Sequence, residues 1–150
     1  MTIRVQAEDF DMAAEIAALT EGNLRIGGIA SFMGVVRETA GDKAIAAMTL
    51  EHYPGMTEKK LAEIEAEAHR RWPLEASLII HRHGRLEPGE RIVLVVTCAK
   101  SRGPALQACE FLIDWLKTQA PFWKLEETGD GEQWVDARDS DGDAAEKWRE

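Results

Sequence analysis

The sequence has few cysteines and no long hydrophobic run, and both features exclude classes of protein. Its two cysteines, Cys98 and Cys109, form no CxxC pair, so neither a disulfide framework nor a structural zinc site is indicated. Both lie in apolar surroundings, which is typical of buried cysteines. No apolar run approaches the roughly 18 residues of a membrane span, and no basic, apolar leader is present at the start. We therefore expect a cytoplasmic protein.

Signatures of nucleotide and nucleic-acid binding are also missing. The glycines of IGGIASFMG do not form GxGxxG, and GxxxxGK[ST] does not occur, so ATP or dinucleotide binding has no motif to support it. The net charge is -9, but residues 126–150 hold ten acidic and three basic side chains, which leaves only -2 for the first 125 residues. An acidic C-terminal stretch argues against nucleic-acid binding, because that affinity depends on neutralising phosphates. A local cationic pocket in the body of the protein remains compatible with this distribution.

The periodicity of the 150 residues predicts one α+β domain over 1–150, with some strands set apart as a subdomain. Alternating or β-branched segments predict strands at 3–7, 26–38, 45–53, 76–83 and 91–99, and a hairpin of 122–128 with 132–138. Segments of helical period predict helices at 12–19, 58–72 and 104–119. The acidic tail, about 140–150, is expected to be exposed and partly helical or frayed.

Three local features carry sharper predictions. Thr57 is a plausible N-cap for the second helix, and Pro104 is expected at the first position of the third. The apolar run IVLVV at 92–96 is continuous rather than alternating, which favours a central strand covered on both faces. The glycines within 27–34 indicate bends or a close backbone approach in a strand.

Two motifs resemble metal sites but are incomplete. His81 and His83 are two apart on a predicted strand and share a face, as zinc ligands would, yet no third ligand is identifiable. The segment DSDGDAAE at 139–146 resembles a calcium loop, but its glycine is at the fourth position rather than the sixth. A polar strand end and a solvated acidic tail are the simpler interpretations, so we predict no metal.

Two lysines flank the end of the third predicted helix. Lys117 lies in the last turn of an otherwise apolar helix, and Lys124 follows beyond Pro121. One interpretation is that Lys117 complements the helix dipole and Lys124 faces water from a strand. The other is that the break between them forms a cationic, partly dry pocket for an anionic substrate. Three arginines could add phosphate ligands to such a pocket: Arg37, Arg102 and Arg138.

Four segments, in order along the chain, resemble one protein family. They are EHYPGM (51–56), IIHRHGRLEPGE (79–90), LKTQAPFWK (116–124) and WVDARDSD (134–141). Together they resemble the large catalytic subunit of molybdopterin synthase, from about residue 26 to the tail. The combination of LKTxAPFWK with EHYPGM is specific. The resemblance implies an α/β hammerhead-type domain with an added antiparallel β subdomain.

The resemblance also implies a reaction and its partners. The family converts cyclic pyranopterin monophosphate to molybdopterin by installing two sulfurs as a dithiolene. The sulfur arrives as a thiocarboxylate on the C-terminal Gly-Gly of a small ubiquitin-like carrier subunit, whose tail enters a pocket of the large subunit. The implied assembly is a homodimer of large subunits with one carrier at each end, a heterotetramer overall, and no cofactor is implied. The apolar, glycine-bearing segment 26–36 agrees with dimerisation.

Residue roles follow from the same resemblance. Lys117 matches the lysine beside the carrier's terminal glycine, where an ammonium can stabilise charge on the thiocarboxylate and on the acyl intermediate formed as sulfur leaves. Lys124 matches a second lysine, expected to act on the pterin substrate or in proton transfer. Arg37 and Arg138 match arginines that line the anion-binding part of the pocket and should bind the substrate phosphate.

One segment departs from the family pattern. The family usually carries a run like SAHRSSA after the central strand, whereas this chain has CAKSRGPA at 98–105, one residue longer. Lys100 and Arg102 keep positive charge there and are expected to bind substrate, but they cannot reproduce the acid-base behaviour of imidazole near pH 7. This departure motivates one alternative, a non-catalytic subunit that binds a Gly-Gly-tailed partner. An unrelated anion-binding dimer is a third hypothesis.

Overall fold

The structure, a computed structural model, describes residues 1–135 and 139–149 and has an α+β fold. The strands are β1 Thr2–Gln6, β2 Gly28–Val35, β3 Thr39–Ala40, β4 Lys43–His52, β5 Leu74–Arg82, β6 Gly84–Leu86, β7 Arg91–Ala99, β8 Phe122–Thr128 and β9 Gly131–Val135. The helices are α1 Met12–Thr20, α2 Met56–Arg71, α3 Arg102–Gln119 and α4 Asp139–Glu146. Within the described ranges, no helix is long and apolar enough to cross a membrane.

A four-stranded sheet in the order β1-β5-β7-β2 forms the centre of the molecule. β1 runs parallel to β5, and the other two pairings are antiparallel. Alternate residues of β5 and β7 enter two separate cores, because successive side chains of a strand point to opposite faces. Ile79 and Val95 pack with α2 and α3 on one face, while Ile80 and Leu94 pack with α1 on the other. The predicted central, doubly covered position of β7 is therefore confirmed.

A second, antiparallel sheet forms the subdomain that the strand order predicted. Its order is β3-β4-β8-β9, and β6 also pairs with β4. The predicted hairpin is confirmed as β8 and β9, joined through residues 129 and 130. A small third core lies here: Val36, Met48, Leu50 and Leu86. β3 and β6 were not predicted, because segments of two and three residues are too short to show an alternating pattern.

The start of α2 differs from the prediction. Thr57 is not the N-cap, because the helix begins at Met56 with Gly55 as its N-cap. Gly55 has φ 86°, a left-handed conformation that glycine adopts without steric cost. The carboxylate of Glu58 accepts a hydrogen bond of 2.9 Å from the Gly55 N–H. Thr57 is buried instead, and its hydroxyl donates to the Tyr53 carbonyl at 2.9 Å.

The start of α3 also lies earlier than predicted. The helix begins at Arg102 with Ser101 as N-cap, so Pro104 is its third residue rather than its first. A proline is tolerated there because the N–H groups of the first turn have no partner within the helix. The predicted end holds: α3 stops at Gln119, two residues before Pro121.

The C-terminal segment is less exposed than its acidic composition predicted. Ala145 of α4 is only 5% exposed, and the ring of Trp148 packs edge-on against Trp72 and Phe111. The indole N–H of Trp148 donates to Asp114 at 2.7 Å. The expectation of an exposed tail was based on the acidic residues and did not include the large apolar surface that a tryptophan can bury. The segment that resembled a calcium loop is the helix α4.

Two glycines at the start of β2 allow the backbone to approach residues 100–102 closely, as predicted. A Cβ on Gly27 would lie 2.0 Å from the carbonyl oxygen of Lys100, and one on Gly28 would lie 3.4 Å from the Cα of Arg102. The Gly27 N–H donates to the Ala99 carbonyl at 2.9 Å. The first residues of β2 are thus packed directly onto the turn between β7 and α3.

This contact yields a prediction with a built-in control. We expect Gly27→Ala to lower the free energy of unfolding by about 3 kcal/mol or more, because its methyl group meets backbone atoms that cannot rotate away. Gly103→Ala, in the first turn of α3 with no heavy atom within 4 Å of its Cβ position, should instead raise it by up to about 1 kcal/mol. Urea unfolding of both variants measures the difference, and equal stabilities would contradict the contact.

Candidate functional site

A cavity of about 450 Å³ lies where the two sheets meet the C-terminal end of α3. Much of its wall is apolar and is contributed by β2, β4 and β8, including Phe32, Val35, Ile45, Leu50 and Phe122. Charged side chains enter from three directions: Arg37 follows β2, Lys117 comes from α3, and Lys124 and Glu126 come from β8. Among the described residues that line it, three cations therefore face one carboxylate. An apolar cavity with a few convergent charges of one sign suits an anionic organic ligand.

The break after α3 brings the two lysines together. The helix ends with the Ala120 N–H donating to the Leu116 carbonyl, and the chain then turns at Pro121 into β8. Because residues of a strand alternate between faces, Phe122, Lys124 and Glu126 all line the cavity. Lys124 is half-buried, opposite Leu50 of β4 and Val135 of β9, whereas Lys117 is exposed at the rim. Proximity of Lys117 and Lys124 in one cavity favours the pocket interpretation over two unrelated surface lysines.

Two of the residues expected at the site are not in this group. Lys100 and Arg102 are exposed at the turn between β7 and α3, and neither is among the described residues that line the cavity. They lie instead beside the start of β2, where Gly27 and Gly28 pack onto the turn. Arg138 lies outside the described residues.

His81 is a wall residue of the cavity whose place the sequence did not indicate. It is only 4% exposed, and its ring stacks on Phe122 with a centroid separation of 3.8 Å. Its Nδ1 lies 2.8 Å from the Arg82 carbonyl oxygen. Because a carbonyl only accepts hydrogen bonds, Nδ1 carries the proton and Nε2 carries the lone pair. The sequence offered a signal only in the position of His81, which directly follows the apolar run Leu78–Ile80 of β5.

Burial lowers the pKa of His81 to about 3, since desolvation disfavours the charged ring. The hydrogen bond to the Arg82 carbonyl opposes this, whereas the nearby charge of Lys117 and the rings of His52 and His83 lower the pKa further. The imidazole is therefore neutral at physiological pH. A neutral ring avoids adding a fourth positive charge to the cavity.

The other histidines and the cysteines do not form a catalytic group with His81. His83 contacts the ring of His52 at 4.5 Å, and burial lowers the pKa of His52. In residues 1–135 and 139–149, no three His, Cys, Asp or Glu side chains are grouped as metal ligands. Cys98 and Cys109 are free and buried, as predicted, and burial raises the pKa of Cys109 to about 11. A thiol with so high a pKa is a poor nucleophile.

A second, more open depression of about 540 Å³ lies between α2 and α3. Its basic residues are paired with acids of the same surface: Arg70 and Arg71 both donate to Glu67. Arg71 also lies over the rings of Phe111 and Trp115. Ion pairing and packing therefore account for the basic side chains of this depression. The cavity at the end of α3 is the better candidate for a functional site.

Comparison with known proteins identifies close relatives. A model of the family described as MoaE protein matches residues 5–119. The molybdopterin synthase catalytic subunit of Pseudomonas aeruginosa is 51% identical over 150 residues, 100% of each chain. The structure of the molybdopterin biosynthesis MoaE protein from Burkholderia ambifaria superposes with a TM-score of 0.85 and 56% identity, covering 98% of this chain and 97% of that one. A complex of subunits 1 and 2 of molybdopterin-converting factor from Helicobacter pylori (TM-score 0.75, 21% identity, 91% of each chain) shows the same fold.

The neutral state of His81 predicts how stability depends on pH. The folded-state pKa of about 3 is below the ordinary 6.5. Between these two values, His81 is protonated in the unfolded chain but neutral in the folded chain. Stability is then lost as the pH falls below 6.5, by about 1.4 kcal/mol per unit. Between pH 7 and pH 5, the free energy of unfolding in urea should fall by about 2 kcal/mol more for the parent than for His81→Gln. Equal losses would show that His81 titrates normally in the folded protein.

Proposed function

This chain belongs to the MoaE family, and from that premise we propose that it is the catalytic subunit of a molybdopterin synthase. It converts cyclic pyranopterin monophosphate to molybdopterin, with sulfur from the C-terminal thiocarboxylate of a small ubiquitin-like carrier. The observation that carries the proposal is the cavity in which Arg37, Lys117 and Lys124 converge. Both proposed ligands are anions, because the carrier ends in a thiocarboxylate and the pterin bears a phosphate.

Lys117 is the residue proposed to act on the sulfur donor. It lies at the exposed end of α3, at the rim of the cavity, where a thin Gly-Gly tail can enter. An ammonium there stabilises the negative charge of the thiocarboxylate. Once the thiocarboxylate sulfur has bonded to the pterin, water adds to the carrier's acyl carbon, and the ammonium stabilises the oxyanion that this addition forms. The oxyanion then collapses as the carbon–sulfur bond breaks, which leaves the sulfur on the pterin and a carboxylate on the carrier. Binding of the tail and the pterin against the apolar wall excludes water and strengthens both interactions.

Lys124 and Arg37 are proposed to act on the pterin substrate. Lys124 is half-buried on β8, less exposed than Lys117, and suits proton transfer or a contact with the ring system. Arg37 lies at the β2 side, where a guanidinium can bind the phosphate through two parallel hydrogen bonds. Arg138 remains proposed as a second phosphate ligand. The sites for carrier and pterin thus share one cavity, as transfer of sulfur between them requires.

The proposed assembly is a homodimer that binds one carrier per subunit, and the support for it in this structure is the exposed edge of the central sheet. β2 is an edge strand of the central sheet with four exposed apolar side chains: Ile29, Phe32, Met33 and Val35. Such an edge is typical of an interface. The turn bearing Lys100 and Arg102 lies beside this same edge. We therefore retain both residues as substrate ligands for the cavity of the neighbouring subunit.

The proposed location is the cytoplasm. Both cysteines are free thiols, as is usual for proteins of a reducing compartment.

The first test concerns Lys117 and uses a surface lysine as its control. We expect Lys117→Ala to slow molybdopterin formation by about 10²–10³-fold in a reconstituted single-turnover assay, because the oxyanion loses its cationic partner. Lys59→Ala removes an exposed lysine of α2 and should react at the parent rate. An active Lys117→Ala variant would refute the assignment of Lys117. A parent protein that binds the carrier but forms no product would favour the non-catalytic binding subunit instead, and one without affinity for the carrier would favour the unrelated dimer.

The second test asks whether Arg102 acts across the dimer. Lys117→Ala and Arg102→Ala should each be slow alone, but an equimolar mixture that exchanges subunits should regain about a quarter of the parent rate, since half of the dimers then hold one intact cavity. A mixture of Lys117→Ala with Lys124→Ala should stay inactive, because both changes fall in the cavity of their own chain. No recovery in the first mixture would remove Arg102 from the neighbouring site.

A further inference from the structure

The ring of His81 is held from three sides. The residue lies on β5, whose neighbours are β1 and β7, with Val5 and Val93 at the paired positions. Its Nδ1 is bound to the Arg82 carbonyl at 2.8 Å, and one face of the ring stacks on Phe122 at 3.8 Å. These contacts fix the direction of the ring, and the residue lines the same cavity as Lys117.

We propose that His81 is a positioning residue for sulfur transfer, whose Nε2 accepts a hydrogen bond from the Lys117 ammonium and orients it toward the carrier's thiocarboxylate. This inference rests on the proposed function of the cavity. His81 does not exchange a proton with substrate in this role. It acts through Lys117.

A flexible lysine at a helix end gains from such an acceptor. The Lys117 ammonium sits on a stem of four carbons, and holding that stem in one conformation costs rotamer entropy. A carboxylate in the place of His81 would orient the ammonium but would also cancel its charge. A neutral imidazole offers a lone pair without a negative charge, so the ammonium keeps its full attraction for an anion.

The environment of the ring keeps that lone pair available. Lys117, His52 and His83 all disfavour a positive charge on His81, and burial acts in the same direction. Lys124 and Arg37 add further positive charge to the walls of the same cavity, against a single carboxylate from Glu126. The acceptor is thus present near neutral pH.

Two variants separate this role from simple packing. In His81→Asn, the side-chain amide nitrogen can replace Nδ1 in the bond to the Arg82 carbonyl, but the side chain is too short to replace Nε2. In His81→Gln, the longer side chain can place its amide oxygen near the position of Nε2. Both variants lose the same aromatic stacking on Phe122, and they differ in the ring nitrogen that the amide replaces: His81→Asn keeps the bond to the Arg82 carbonyl, whereas His81→Gln keeps the acceptor of Nε2. Higher activity of His81→Gln would therefore come from the acceptor and not from the bond to Arg82.

The experiment is a single-turnover assay with thiocarboxylated carrier and cyclic pyranopterin monophosphate, together with a carrier-binding titration. We expect His81→Asn to lower the rate by about 10²-fold, as a misplaced catalytic group does, with little change in the Kd of the carrier. His81→Gln should be at least tenfold faster than His81→Asn. A tenfold difference in rate corresponds to the free energy of about one pKa unit. In a Lys117→Ala background, His81→Asn should have no further effect.

The outcomes distinguish a failure of the proposed function from a failure of the proposed role of His81. A parent protein that forms no molybdopterin would overturn the proposed function and this inference with it. An active parent with His81→Asn at the parent rate, or with Asn and Gln equally slow, would overturn the role of His81 alone. A second measurement avoids any dependence on folding of the His81 variants: the ¹⁵N resonance of His81 Nε2 should shift in Lys117→Ala and not in Lys59→Ala. An unchanged resonance in both would also overturn the proposal.

Discussion

The antiparallel pairing of β5 with β7 is the constraint on which the rest of the structure depends. Every residue of β7 from Val93 to Ala99 is buried, and alternate side chains of the pair supply both cores of the central sheet. β7 leads through the turn at 100–101 directly into α3, whose apolar face packs on the same sheet. The position of Lys117 at the far end of α3 is therefore set by the packing of a helix on a buried strand pair.

The same strand pair joins the two sheets of the molecule. β5 ends near the cavity with His81, and the chain then enters β6, which pairs with β4 of the second sheet. β8 continues from the end of α3 into that sheet and stacks Phe122 on His81. The cavity exists because a helix and two strands leave the central sheet at one place. Its lining is mixed because apolar residues of both sheets surround the few side chains that enter from the ends of elements.

Acidic and basic side chains are concentrated in different parts of the molecule. The acidic excess of the chain is concentrated after residue 125, whereas the described wall of the cavity holds three cations and one carboxylate. Several basic side chains of the surface form ion pairs: Arg71 with Glu67, and Arg91 with Asp9 at 2.6 Å. The cations of the cavity share an apolar wall. A ligand that excludes water from this wall lowers the local dielectric and so strengthens their attraction for an anion.

The sequence by itself determined the α+β class, most helix and strand positions and the end of α3, because periodicity and proline act locally along the chain. It also contained the motifs LKTQAPFWK and EHYPGM, by which the family is identified. The tertiary structure was needed to show that Lys117, Lys124 and Arg37 line one cavity, that Lys100 lies apart from them, and that Trp148 is packed against Phe111. These arrangements involve residues distant in the chain, and they depend on how α3 and β8 cross the strand pair. His81 shows the difference most clearly, since its burial, its tautomer and its place in the wall of the same cavity as Lys117 are all consequences of packing.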